Sequence, residues 1–347
     1  MSAMDEPVPR VPANRPGGRA RAADVAAAAR VSIATVSLVA NGKAAGRVSM
    51  QTQARVEQVI EQLGYVADPA ARSLVTGRRQ CIALLAHDIT NPFISLIAAG
   101  VTRAVGTGTQ LLLASAGADV RPDLARIAAF GVDGILVDHP ASEHVAGLGV
   151  PVVHLDDPDA DESLPRAYFD LAPGGALLAG HLAGLGHRRL LYLDATRPWA
   201  TFARRRTHLL TGLSKLAPDT IVTPARSDID IDTTRQLVRR TWPRWRVDGV
   251  TAIVTATDVQ AFGVLAGLAD LGVSVPGQVS VASFDSVPFA QLTAPPLTAV
   301  ALPAEQLGHT SATLLLALID GRELGSRVQV IPSSLDVRSS TGPAVTR

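Results

Sequence analysis

The stretch ARVSIATVSLVANG, residues 29–42, mixes small, hydroxyl and aliphatic side chains and closes on Asn41-Gly42. It follows ADVAAAA, residues 23–29, and the two together fit a helix–turn–helix frame. ADVAAAA forms the first helix with Val25 and Ala26 inward, and ARVS forms the turn. Ser32 is then the N-cap of a second helix, IATVSLVAN, because its hydroxyl can accept a free amide of the first turn. Val36 and Val39 fall at i and i+3 and pack inward, which leaves Ile33, Ala34, Ser37, Leu38 and Asn41 outward. Hydroxyls and an amide on an exposed face suit phosphate oxygens and base edges, and short side chains let a helix approach the floor of the major groove. A buried αα-hairpin without a ligand fits the same residues, since helix–turn–helix patterns are common.

The flanks sharpen the choice. In TQARVEQVIEQLG, residues 52–64, Val56, Val59, Ile60 and Leu63 recur at helical spacing and Gly64 suits the C-cap. In YVADPAARSLVTGRR, Asp68 can cap and Pro69 can open a short helix reaching Val75, too short to be stable alone. Residues 1–20 are rich in Pro, Gly and Arg and are expected to form a disordered basic tail. Residues 1–79 hold eleven Arg and Lys against six Asp and Glu, a net +5, while the remaining 268 hold 21 against 25, a net −4. A basic head on a mildly acidic body points to a polyanionic partner for the head, although four of its eleven cations lie in residues 1–21 and a solvated tail would carry them equally well.

From residue 80 the pattern changes. CIALLAH, QLLLASA, GILVDH, PVVHLD, RLLYLD, AIVTAT and VSVASFD read as buried strands. Helix-like stretches such as FISLIAAGVTRAVG, GGALLAGHLAGLG, VQAFGVLAGLADLG and LGHTSATLLLALIDG lie between them. Continuous apolar strands alternating with helices mean parallel sheets covered on both faces. That many strands suits two α/β lobes better than one sheet.

Several classes are disfavoured. No run of about 18 uncharged apolar residues is present, so no membrane span is expected. The N-terminus lacks the apolar region of a secretory signal, and a cytoplasmic location is expected. The single Cys81 offers neither an internal disulfide nor a metal cluster. GxGxxG after a strand, GxSxG and HExxH are absent, so an enzyme is disfavoured and no cofactor is expected. The eight histidines are scattered, and His181 and His187 read as structural. A two-lobed solute-binding protein is the rival class, but it has no use for a basic helical head.

The pattern V-S-x-A-T-V-S-x-V-x-N-G-K, residues 31–43, resembles the DNA-binding head of the lactose-repressor (LacI/GalR) family. RVSMQTQARVEQVIEQLGY is similar to that family's third helix and DPAARSL to its hinge helix. ITNPF, VDGILV, PVVHLD, LAGLGHRRLLYL, GVSVPGQVSVASFDS, PPLTAVALPAEQLG and VRSST are similar to successive segments of its core, so the resemblance runs from about residue 21 to 341.

The resemblance implies an all-α helix–turn–helix head at 21–64, a hinge helix and linker at 65–79, and a type I periplasmic-binding-protein-like α/β core at 80–347. It divides the core into one lobe at about 80–165 plus 298–324 and another at about 166–297 plus 325–341. It implies a transcriptional regulator, expected to be a repressor, that binds a near-palindromic operator in duplex DNA as a homodimer under the control of a small effector. Ser32, Ile33, Ala34, Thr35, Ser37, Leu38 and Asn41 would contact DNA. Two hinge helices would meet in the minor groove, where the leucine matching Leu74, with Ala71 beside it, wedges a base step. Some positions depart from the family. Leu38 stands where an arginine often pairs with guanine, which forgoes roughly 1–3 kcal/mol of base discrimination. Ile33 and Ala34 occupy the two positions that usually set sequence choice, so thymine methyls are the expected contacts. Arg30 replaces a turn glycine, at a cost of about 1 kcal/mol if its φ is positive, unless a phosphate contact offsets it.

Parallel α/β lobes bind ligands at strand C-termini, in the crevice between lobes. Asp88, Asn91, Phe93, Asp170, Thr257, Asp258 and Asp285 follow strand-like runs. Asp88 and Asp285 could equally be helix N-caps. The resemblance places Arg205, Asp285 and Phe93 against the effector, typically a sugar or purine in that family. A guanidinium facing a carboxylate suits vicinal hydroxyls. Arg204, Arg205 and Arg206 are adjacent, so a shift of register would substitute a neighbour. Thr257 replaces an asparagine, His208 a glycine and Leu171 a polar residue. Trp199 could stack on a sugar face or simply pack on a lobe. A sugar or polyol is the expected effector, with a nucleoside the other option. No metal site is expected.

Overall fold

The structure is a computed structural model that describes residues 20–65, 78–115, 123–138, 147–161, 163–197 and 199–345. The expected tail, through residue 19, and the expected hinge helix, with Ala71 and Leu74, lie outside the described residues. The chain divides between Arg79 and Gln80 into two units.

The first unit is built on α1 (Ala22–Ala29), α2 (Ile33–Ala40) and α3 (Met50–Leu63). α1 and α2 are bent 105° from one another. Ser32 Oγ accepts the Thr35 amide at 3.1 Å and Ser49 Oγ the Thr52 amide at 3.3 Å, so each of α2 and α3 opens on a serine cap. Gly64 ends α3 with φ +60, a conformation that favours glycine. Val25, Ala29, Val36 and Val56 are fully buried at the centre, with Ala26 allowing the close crossing. Arg30, in the turn, has φ +52 and ψ +49, so the left-handed backbone of a turn glycine is kept by an arginine.

The second unit holds two six-stranded sheets. The first sheet uses β1 (Cys81–Ala86), β2 (Gln110–Ser115), β3 (Gly134–Asp138), β4 (Val152–Leu155), β5 (Arg166–Asp170) and β11 (Val328–Pro332). Their order is β11-β5-β4-β3-β1-β2, all parallel. The second uses β6 (Arg189–Ala195), β7 (Ile221–Ser227), β8 (Ala252–Thr255), β9 (Ser280–Asp285), β10 (Thr298–Ala301) and β12 (Ser334–Asp336). Its order is β12-β10-β9-β8-β6-β7, parallel except for the edge strand β12. The first sheet carries α4 (Pro92–Val105), α5 (Leu124–Ala129) and α10 (Ala304–Ile319). The second carries α6 (Leu171–Gly184), α7 (Ala200–Leu216), α8 (Ile231–Val247) and α9 (Asp258–Asp270).

The lobe boundaries need correction. β5, expected in the second lobe, pairs with β4 and β11 in the first sheet. β10, expected in the first lobe, lies inside the second sheet, and β11, expected in the second, lies in the first. The chain therefore changes lobe after Asp170, after Ala301 and between Pro332 and Ser334. The half-exposed pattern of β11 hides it in a search for continuous apolar runs. β7 is hidden likewise by Pro224, which an edge strand tolerates. α8 was not expected: Pro243 lies inside it, and its buried face rests on Val238, Trp242 and Trp245.

Two glycines hold α4 against α10. A Cβ on Gly100 would stand 1.9 Å from the Glu305 carbonyl oxygen, and one on Gly308 2.0 Å from that of Ile97. The helices thus touch backbone to backbone. His187 is structural, as expected: its ring nitrogens lie 2.9 Å from Thr251 Oγ1 and 3.0 Å from Ser280 Oγ, and burial depresses its pKa to about 4. His181 Nε2 meets Thr341 Oγ1 at 2.8 Å.

Candidate functional site

In the first unit, α2 presents a small polar and aliphatic face. Ser32, Ile33, Ala34 and Ser37 are exposed, Ile33 at 55%. Leu38, expected outward, is half-buried. Thr35 and Asn41 also turn partly inward. The Thr35 hydroxyl lies 2.9 Å from Ser32 Oγ, and Asn41 Nδ2 donates to the Ser37 carbonyl at 2.7 Å and to Ser37 Oγ at 3.2 Å. Those two residues shape the ends of α2, while Ile33, Ala34 and Ser37 form the face it offers, with Leu38 half-buried at its edge. Gln53 Nε2 donates to the Val48 carbonyl at 2.7 Å and the Ala44 carbonyl at 3.3 Å, which ties the loop carrying Lys43 and Arg47 to α3.

In the second unit, the strand ends of both sheets converge on a cleft of about 640 Å³, open to solvent. Six expected residues line it: Asn91, Phe93, Trp199, Arg205, Thr257 and Asp285. Asp88 and Asp170 do not. Asp88 accepts the Thr90 amide and hydroxyl in a local turn, and Asp170 caps α6 by accepting the Ala172 amide at 3.0 Å. Capping therefore describes Asp170, for which it was not expected, while Asp88, for which it was, closes a local turn instead. Asn91 and Thr257 cap α4 and α9 as well as lining the cleft.

Arg205 is the hub. Its Nη1 donates to Asp285 Oδ1 and to the Ala256 carbonyl, both at 2.7 Å, and the residue is only 3% exposed. Its neighbours are distinguished by their partners: Arg204 pairs with Asp159 and Arg206 with Asp194. Burial alone would discourage charge on Arg205, but Asp285 and Asp156 more than offset it and hold the guanidinium ionised. Asp285 has φ +112, and its Oδ2 lies 3.4 Å from the Asp258 amide. Asp258, fully buried, accepts the Val287 amide at 2.7 Å and the Ser283 hydroxyl. Burial, then nearby Asp285, pushes its carboxyl pKa up. Burial also raises that of Asp285, opposed by Arg205. Asp258 thus fastens the turn that aims Asp285 at Arg205.

Other lining groups were missed by the sequence reading: His87, Asp138, Asp156, Asp157, Thr201 and Phe202. The Thr201 hydroxyl donates to Asp156 Oδ2 at 2.7 Å, and His87 Nδ1 lies 2.9 Å from Asp138 Oδ2. Burial raises the Asp156 pKa to about 6, with Arg205 and the Thr201 hydroxyl opposing and Asp138 adding to the rise. Trp199 meets the His87 ring edge-on at 4.0 Å and stacks on Phe202 at 5.6 Å, so one wall is aromatic. His87, Asp138 and Asp156 each stand at or just past the end of a strand that was read correctly, so the rule that selects Asp285 also selects them.

Residues 23–68 match the family described as bacterial regulatory proteins, lacI family, and residues 179–341 match the periplasmic binding protein-like domain. A ribose operon repressor from Bacillus subtilis (strain 168) is 30% identical over 326 residues, covering 92% of this chain and 97% of its own length. A solved transcriptional regulator CelR–cellobiose complex superposes with a TM-score of 0.65 at 27% identity, over 93% of this chain and all of that one. A lac repressor dimer bound to operator and the anti-inducer ONPF gives 0.78 at 23% identity, over 94% of this chain and all of that one, which establishes the fold.

Proposed function

Because this chain belongs to the lacI family of bacterial regulatory proteins, we propose that the exposed face of α2 reads the operator and that the cleft binds a small sugar or polyol which sets how tightly the operator is held. The chain is a DNA-binding transcriptional regulator with a helix–turn–helix head and a two-sheet α/β core. Short side chains at Ser32, Ala34 and Ser37 admit α2 to the major groove, and Ile33 and Ala34 offer methyl groups to thymine. Lys43, Arg47 and the left-handed Arg30 are exposed and placed to neutralise phosphates. The protein acts as a homodimer on a near-palindromic site, with Leu74 and Ala71 taking the minor-groove role.

The observation that carries the effector reading is the buried Arg205–Asp285 pair beside an aromatic wall. Its fork and carboxylate are held rigid by Asp258 and the Ala256 carbonyl, and such a pair receives and donates hydrogen bonds to adjacent hydroxyls. The similar CelR complex contains cellobiose, and the Bacillus relative is a ribose operon repressor. A thermal-shift screen of the full chain against ribose, cellobiose, other sugars, polyols and nucleosides tests this, since a ligand at about 100 times its Kd adds roughly 2.7 kcal/mol of stability. A sugar or polyol should raise Tm and change operator affinity, and Asp285→Ala should abolish that response while DNA binding persists. A nucleoside as sole binder, or an unchanged response in Asp285→Ala, overturns the assignment.

A further inference from the structure

The charges that line the cleft do not balance. Four carboxylates, Asp138, Asp156, Asp157 and Asp285, share it with one guanidinium, Arg205, and one imidazole, His87. Arg205 is committed through Nη1 to Asp285 and the Ala256 carbonyl. His87 sits 2.9 Å from Asp138. Asp157 has the fully buried His154 at 4.0 Å, and burial lowers the pKa of that imidazole. Asp156 takes a hydrogen bond from the neutral Thr201 hydroxyl, and among the described residues no ion pair reaches it. Low-dielectric walls concentrate the field of such a site.

Three ligand classes meet this field differently. A sugar phosphate or sugar acid adds negative charge to a cleft whose four carboxylates already outnumber its one guanidinium. A neutral polyol donates hydrogen bonds but leaves Asp156 and Asp285 to share Arg205. A protonated amine supplies that charge together with three N–H donors, enough for Asp156 and a neighbouring carboxylate at once. The aromatic wall is also suited to cations: the Arg197 guanidinium lies 5.6 Å from the Trp199 ring centre and that of Arg205 5.3 Å from Phe202. We propose that the ligand of this cleft is a sugar or polyol bearing a protonated amine, seated against Asp156 and Asp138. This rests on the carbohydrate reading above and narrows it. Burial raises the Asp156 pKa even against the pull of Arg205, so a second cation beside it would be favoured.

Calorimetry on the full chain at neutral pH tests the proposal with glucosamine, galactosamine and mannosamine, the three parent hexoses, and the 6-phosphates of those hexoses. At least one amino sugar should bind about tenfold or more tighter than its parent, and no phosphate should bind. Asp156→Asn keeps an acceptor for Thr201 and removes the charge. It should cut the amine-over-parent ratio, with both affinities measured in the same variant, below about threefold. A parent hexose or a phosphate that binds as tightly as the amine, or a ratio that survives Asp156→Asn, overturns the proposal. If all nine compounds are silent while a neutral sugar of the wider screen binds, the amine falls and the carbohydrate reading stands. Silence across both panels removes both.

Discussion

The α2 face and the cleft, the two surfaces proposed to act, stand in opposite relation to the fold. On α2, the side chains proposed to meet DNA are ones the head does not need: Ile33, Ala34 and Ser37 are exposed, away from a core made by Val25, Val36 and Val56. In the cleft, the side chains proposed to meet ligand, Arg205 and Asp285, belong to the fold's own buried charge network, which Asp258 completes. Arg205, Asp258 and Asp285 are each under 5% exposed and hold one another in place. Sequence preference can therefore drift without loss of stability, whereas a change of ligand must keep this charge network satisfied.

This contrast can be broken most forcibly at Arg205. Arg205→Met leaves Asp285 buried without its cation and should cost about 3–5 kcal/mol by denaturant unfolding. Adding Asp285→Asn should recover part of that loss, whereas additive losses would mean the two are not coupled. Asp258 comes next. Asp258→Ala orphans the Val287 amide and the Ser283 hydroxyl and should cost roughly 1–3 kcal/mol. Asp258→Asn can serve both partners and should remain close to the parent protein, so equal losses in the two variants would refute the latch.

Asp156 gives a smaller, pH-dependent effect. Its folded pKa of about 6 lies above the ordinary carboxyl value. Its stabilising contribution is complete below the unfolded pKa, near 4, and is lost as pH rises through about 6. The groups facing it are Asp138, Arg205 and Thr201, with His87 and Asp157 in the same cleft. Asp156→Asn should flatten the fall in stability between about pH 4 and 7 by around 1 kcal/mol, a discounted figure because the carboxyl borders solvent. An unchanged profile would contradict the assignment. Leu38→Arg should be smallest in stability, within about 0.5 kcal/mol, while shifting base preference at one operator position by roughly 1–3 kcal/mol.

The same contrast explains what could be read in advance. The head is local: the Ser32 cap, helical spacing and Gly64 are all set within a few residues, and its helices lie within two residues of expectation, α3 starting early on the unread Ser49 cap. What escaped notice there was the inward turn of Thr35 and Asn41, whose partners are on their own helix. The cleft is assembled from distant segments. Adjacent Arg204, Arg205 and Arg206 are equivalent as a string, and only the fold assigns them to Asp159, Asp285 and Asp194. The family resemblance selected Arg205, and charge spacing alone could not. Asp88 and Asp170 were drawn in by their place after strands, where capping competes with binding for the same carboxylates.

The central claim is that a separable reading face on α2 gives this regulator its DNA sequence preference. Selection of preferred duplexes from a random pool, using the full chain and its Leu38→Arg variant side by side, tests it most directly. The account predicts an inverted repeat for both, with one symmetric base position changed in the variant and equal melting temperatures for the two proteins. Recovery of no inverted repeat, or of the same repeat by both proteins, would contradict it.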